Sequence, residues 1–215
     1  MRKKGMVKVL GVLLASLLVV SAASMVFADD EPLKRFGIKV SAMYVIPSDS
    51  FDSRLAGAGL SVDNSVAPKV ELEYFFTKNI STELVLAFSK NDISSDAGIN
   101  GSVWLLPPSL FAKYHPIPDW YVSPYVGFGI NVVIPFDEKL YIGGKQFDFD
   151  VDTSVGWAAK VGFDIPIVKT ACVNVYWNVD AMYYSAKTKM NIGGLGKFDL
   201  DLNPWTVSSG VGLRF

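Results

Sequence analysis

Beyond residue 28 the chain alternates apolar residues with small or polar ones at a period of two, and that pattern commits it to β-strands. Successive side chains of a strand point to opposite faces, so each segment divides into two sets. In the first segment Phe36, Ile38, Val40, Ala42, Tyr44 and Ile46 oppose Lys39, Ser41 and Met43. Val70, Leu72, Tyr74 and Phe76 then oppose Lys69, Glu71 and Glu73, and Ile80, Leu84 and Leu86 oppose Ser81 and Glu83. Leu110, Ala112 and Tyr114 alternate with Ser109, Phe111 and Lys113. Four more segments follow over 126–134, 155–165, 173–183 and 205–215, which makes eight strands. No apolar run past residue 28 approaches the roughly 20 residues of a membrane helix.

Two architectures accommodate such a pattern. A soluble sandwich turns its apolar face inward and shows water a polar face of long charged side chains. Here the non-apolar face is mostly Gly, Ser, Ala and Asn with isolated charges, which suits the interior of a narrow barrel. Trp, Tyr and Phe sit near the ends of the apolar face, as in an aromatic girdle. We therefore expect an all-β, eight-stranded antiparallel transmembrane β-barrel. Connection lengths agree. Lys78-Asn79, "HPIPDW" and "PIVKT" are short, whereas 47–67, 90–103, 135–152 and 187–203 are long. The strict alternation is that of short periplasmic turns and four longer extracellular loops, with both termini in the periplasm.

The N-terminus carries an export signal. Arg2, Lys3, Lys4 and Lys8 precede an apolar run over 9–20, and "SAASMVFA" ends on the small-residue spacing of a signal-peptidase site. Residues 1–28 are read as a cleavable signal peptide, in preference to an uncleaved anchor, and 29–215 as the barrel. Losing four of the 20 basic residues leaves 16 against 21 acidic ones, a net charge of −5 that offers no nucleic-acid surface. Cys172 is the only cysteine, so no internal disulfide is available.

"WLLPPSLFAKYH", "SPYVGFGIN", "SVGWAAKVGFDI" and "LNPWTVSSGVGLRF", in this order after a signal peptide, resemble the OmpW family of small eight-stranded outer-membrane barrels. The resemblance spans residues 29–215. It implies a bacterial outer-membrane protein that passes small hydrophobic molecules, with an apolar pocket near the outer end, a blocked polar lumen below it, and sideways release through the wall into membrane lipid. It also marks the terminal Phe215 as the aromatic signal read by the barrel-assembly machinery.

Within that frame, Pro107 and Pro108 are the oddest residues. Proline has no N–H for a ladder, and an unpaired carbonyl in lipid costs several kcal/mol. On the residues alone they either end the ladder where the strand leaves the bilayer or line a lateral gap flanked by Leu105, Leu106 and Leu110. The family resemblance favours the gap. Lys39, Lys69, Glu71, Glu73, Glu83, Lys113, Lys160, Asp164, Asp180 and Arg214 have inward parity. They form either a selectivity ring or a salt-bridged plug, and an eight-stranded barrel has room only for its side chains, which favours the plug. Met43, Phe111, Val133, Met182 and Tyr184 also point inward, as an apolar pocket or as ordinary filling.

Catalytic chemistry finds little support. The single histidine, His115, precedes Pro116 and reads as a turn residue, and one His with one distant Cys provides no metal site. "FDFDVD" over 147–152 is better read as a partner region for the outer extension of strand three, or as the rising wall of strand six, than as a chelator, and "GGLGK" over 193–197 lacks the strand and helix of a nucleotide loop. No catalytic residue, metal or cofactor is assigned. The alternative function is a structural or adhesive barrel whose outer loops meet other surfaces.

Overall fold

The computed structural model describes residues 33–47, 60–62, 64–95, 99–142, 145–147, 149–192 and 196–215. The expected signal peptide and its cleavage site lie outside them. Among the described residues all regular structure is strand: β1 (Phe36–Ile46), β2 (Leu60–Val62), β3 (Ser65–Phe75), β4 (Ile80–Ala87), β5 (Ser89–Ser95), β6 (Ile99–Leu106), β7 (Ser109–Tyr114), β8 (Ser123–Ile142), β9 (Lys145–Phe147), β10 (Phe149–Val151), β11 (Ser154–Lys169), β12 (Asn174–Ile192), β13 (Gly196–Leu202) and β14 (Trp205–Arg214).

Eight of these close on one another. The antiparallel order is β1–β3–β4–β7–β8–β11–β12–β14, and β14 pairs back to β1. Phe36 and Phe215 seal that last seam with reciprocal backbone hydrogen bonds of 2.9 and 2.8 Å. A closed sheet has no edge to satisfy, which is what a strand needs in lipid. Following partners round from Phe36 through Tyr74, Thr82, Ala112, Phe128, Ala159, Tyr183 and Trp205 returns to β1 at Ile46, ten residues further on. That stagger obliges the strands to tilt and fixes a narrow lumen.

The predicted faces are observed. Val40, Val66, Val126, Phe128, Val155 and Val161 are among the exposed apolar residues, while Lys39, Lys69, Glu71, Glu83, Lys113 and Lys160 are buried. This is inverted relative to a soluble protein, and it suits a lipid-facing wall. Phe128, Trp157, Tyr183 and Trp205 run along the outer wall with ring centroids 5.9, 5.4 and 5.1 Å apart. Phe36, Tyr74, Phe76 and Phe215 form a second aromatic group at the end that holds the termini.

Two expectations need correction. The long connections are not simply loops: β5 and β6 pair with each other over much of 90–103, β8 continues to Ile142, β12 to Ile192, and β13 pairs with β12. The β5–β6 and β12–β13 ladders continue the registers of the barrel, while β6 slips against β8 between Ser102 and Trp104, and backbone pairing extends the wall. β10 pairs Phe149 with Ile192, as a rising wall of strand six requires. Secondly, "PIVKT" is not a turn as a whole, because 166–169 remain in β11 and the reversal occurs over 170–173. There Thr170 takes the turn bonds itself, its hydroxyl donating to the Val173 carbonyl and accepting from the Val173 amide.

Candidate functional site

The lumen carries the chemistry, and its layering repeats from strand to strand. Moving from the termini toward the long connections, β1 presents Lys39 then Met43, β4 presents Glu83 then Val85, and β12 presents Asp180 then Met182 and Tyr184. The descending strands agree, with Ala67 above Lys69 on β3, Phe111 above Lys113 on β7 and Ala158 above Lys160 on β11. An apolar layer therefore lies directly over an ionic one.

The ionic layer matches four lysines with four carboxylates, all with side chains fully shielded from solvent. Lys69 lies 2.7 Å from Asp180 and 3.1 Å from Glu71, and also donates to the Ser208 hydroxyl. Lys113 lies 2.7 Å from Glu73 and 2.9 Å from Glu83. Lys39 bonds Glu83 and approaches Glu73 at 3.5 Å, while Lys160 bonds both Glu71 and Glu83. Glu83 thus contacts three ammonium groups. Isolated buried charges would each cost several kcal/mol, so a lumen holding eight is tenable because each ion has opposite partners.

Tyr125 completes this layer and was not singled out from the sequence. Its ring lies 3.9 Å from the Lys113 ammonium, its centroid 5.4 Å from that of Lys39 and 5.7 Å from that of Lys160, and its hydroxyl accepts from Asn178 at 2.8 Å. The available signal was parity, since Tyr125 continues inward the face of Gly127, Gly129 and Asn131. Gly162 makes room for it: a Cβ there would stand 2.6 Å from the Tyr125 hydroxyl.

His115 is corrected from a turn residue to a lumen residue. It is buried between Phe75 and Tyr125, with ring centroids 5.4 Å from each, and its Nε2 lies 3.1 Å from the Ser81 hydroxyl and 3.3 Å from Glu73. Asp164 and Arg214 stand apart from the eight-ion group. Their closest approach is 3.8 Å at the terminal end, where the Arg214 guanidinium also lies 3.7 Å over the Phe75 ring. The sequence placed all these charges in one plug; the structure divides them into a central network and a mouth pair.

Of the five predicted pocket residues, Met43, Phe111, Met182 and Tyr184 pack in one buried apolar cluster, joined by Val45, Ala67, Val85, Ala87 and Ala158. Val133 is buried but lies outside that cluster.

The wall beside this cluster is interrupted. β4 pairs with β7 as far as Val85 and Ser109, and β5 pairs with β6 from Ser89 and Leu105. Both ladders keep the same register, which sets Ala87 opposite Pro107, yet no rung is formed across the three intervening positions. On the other side Pro108 stays attached, its carbonyl accepting from the Val132 amide at 3.0 Å. The Pro107 carbonyl accepts instead from the Ser109 hydroxyl at 3.0 Å. Leu105, Leu106 and Leu110 flank the break and are half-buried.

The family model described as the OmpW family matches residues 34–215. The chain belongs to the OmpW family. It is 32% identical over 220 residues to outer membrane protein W of Vibrio cholerae, spanning 94% of this chain and 97% of that protein. With outer membrane protein W of Escherichia coli it shares 30% identity over 195 residues, 84% of this chain and 88% of the relative. Among solved structures, the outer membrane protein OprG of Pseudomonas aeruginosa superposes with a TM-score of 0.71 at 25% identity, covering 86% of this chain and 97% of OprG. This OmpW-family chain is an outer-membrane barrel, and the membrane lipid is the solvent of its apolar face. By the rule for such barrels the short turns face the periplasm, which puts the eight-ion layer on the periplasmic side of the apolar cluster.

Proposed function

We propose that the barrel receives small hydrophobic molecules at its extracellular end and releases them sideways into the membrane beside Pro107 and Pro108. The observation that carries this reading is a coincidence of height. The unpaired stretch of wall adjoins the apolar cluster, immediately above a lumen filled by paired charges. An apolar solute that reaches Phe111 and Met182 meets eight ions below and an incomplete ladder at its side. Leaving through the wall exchanges one apolar environment for another, whereas going down would strip the hydration or the partners from charges. No catalytic step is needed. Phe215 supports a further part of the reading, its role as the signal for the assembly machinery, because its ring stacks on Phe36 with centroids 6.3 Å apart at the seam that closes last in sequence.

The test compares refolded wild type with Pro107→Ala/Pro108→Ala in vesicles, reading uptake of an apolar fluorescent probe and single-channel conductance together. Pro107→Ala restores one donor across the broken seam, toward Ala87, and Pro108→Ala one toward Val132 on the seam already held. The single rung across the gap, at about 1 kcal/mol, lowers an open fraction roughly fivefold. Uptake is expected to fall about fivefold while ion conductance stays small in both proteins. Unchanged uptake at equal folded protein would defeat the lateral path, and a large steady conductance indifferent to the prolines would make the barrel an ordinary pore.

A further inference from the structure

Resting on the lateral path just proposed, we infer that the part of the wall that yields is Ala87 and Phe88, where β4 gives way to β5, and that Phe88 sets the size of solute released. The proline pair draws attention to one side of this link, but a third proline flanks the other. Pro68 on β3 faces Phe88, and the contact between them is a single long hydrogen bond, the Phe88 amide to the Pro68 carbonyl at 3.4 Å. In an antiparallel pair of this kind the two residues exchange two bonds. Proline cannot give the second, so the Phe88 carbonyl receives nothing from Pro68. Ala87, next along, points its backbone groups the opposite way, toward Pro107, which has no N–H and whose carbonyl is engaged by Ser109. Pairing is complete just below, where Val85 joins Glu71 on one side and Ser109 on the other, and it resumes above at Ser89.

Ala87 thus faces Pro107 on one side and stands opposite Lys69 on the other, Phe88 faces Pro68, and the stretched Phe88–Pro68 bond is the one direct lateral hydrogen bond of these two residues among the described residues. A stretch of strand leaves a sheet most readily where fewest rungs must break. What it would uncover is specific. Ala87 is buried in the apolar cluster of the lumen, whereas Phe88 is about half exposed on the lipid face. Displacing this one stretch connects the two surfaces directly, and the Phe88 ring is the bulk that covers the exit.

Two tethers in a Cys172→Ser background test this, because Cys172 is an exposed free thiol. Pro68→Cys/Phe88→Cys ties the link to β3, and Leu86→Cys/Pro108→Cys ties it to the opposite side. Directly opposed antiparallel residues have Cα atoms about 4.5–5.5 Å apart, within the range a disulfide spans. With either disulfide formed, uptake of the apolar probe into vesicles is expected to be at least tenfold below that of the same variant reduced, a comparison that controls for folding and for the backbone donor that replacing proline restores. If the Pro68→Cys/Phe88→Cys tether leaves uptake intact while the other abolishes it, the lateral path survives and the yielding link is wrong. If neither tether matters, the lateral path itself fails. In an otherwise native chain, Phe88→Ala is expected to admit a bulkier apolar probe that wild type excludes, and an unaltered size limit would remove Phe88 from the assignment.

Discussion

Replacing Glu83 by glutamine is expected to destabilise the folded barrel by about 3–5 kcal/mol, the range for breaking a buried ion pair from one side. Glu83 accepts hydrogen bonds from three lysines, Lys39, Lys113 and Lys160. Its loss leaves four ammonium groups facing three carboxylates in a lumen that water hardly reaches. Urea unfolding of the refolded protein in lipid vesicles, followed by tryptophan fluorescence, reads the change as a lowered midpoint. The informative partner is Glu83→Gln/Lys160→Met, which removes one charge of each sign. Replacing a buried pair with apolar groups of similar size is often nearly neutral. The double variant is therefore expected to regain much of the loss. If the single variant costs less than about 1 kcal/mol, the eight ions are hydrated rather than mutually paired, and the lumen is better described as a wet pore.

Gly129→Ala is expected to yield no folded barrel at all, whereas Gly127→Ala, two residues earlier on the same strand, is expected to fold. A Cβ on Gly129 would stand 2.0 Å from the Leu110 carbonyl oxygen and 2.9 Å from the Phe111 Cα. Both are backbone atoms of the adjoining strand, held there by the pairing of Leu110 with Ile130 and of Phe111 with Gly129. Neither can move without opening the seam between β7 and β8, so only a residue without a Cβ allows the approach. At Gly127 the nearest atom is the Lys113 Cγ at 3.2 Å, part of a flexible side chain that can shift by the few tenths of an ångström required. The difference in electrophoretic mobility between unheated and heated samples measures the folded fraction of each variant. Equal yields for the two would mean that β7 and β8 are more loosely held than their register implies.

The strands were legible in the sequence because burial in a barrel is periodic in the same way as the pleat. With the outer face in lipid and the inner face in a crowded lumen, each residue's parity reports its surroundings. Lys39, Glu71, Glu83, Lys113 and Lys160 could be assigned to the interior for that reason alone, and so could Met43, Phe111 and Met182. The extended loops were less legible. Outside the lipid the alternation is relaxed, and residues 90–103 read as a long connection although β5 and β6 pair through most of it. His115 was misjudged because proline follows it, a signal of a turn that says nothing about where the side chain points.

By itself, then, the sequence determined that this chain closes into a lipid-facing barrel of eight strands, which residues look inward, and where prolines remove donors from the wall. Only the tertiary structure decided which of those residues meet. Lys69 joins Asp180 across 111 residues of chain, and Ala87 comes to stand opposite Pro107 while Phe88 stands opposite Pro68. Parity is a local property, carried by two neighbouring peptide units. The ten-residue stagger that sets the height of one strand against another belongs to the closed sheet as a whole, and it is this stagger that lays the apolar cluster beside the broken seam and above the ions.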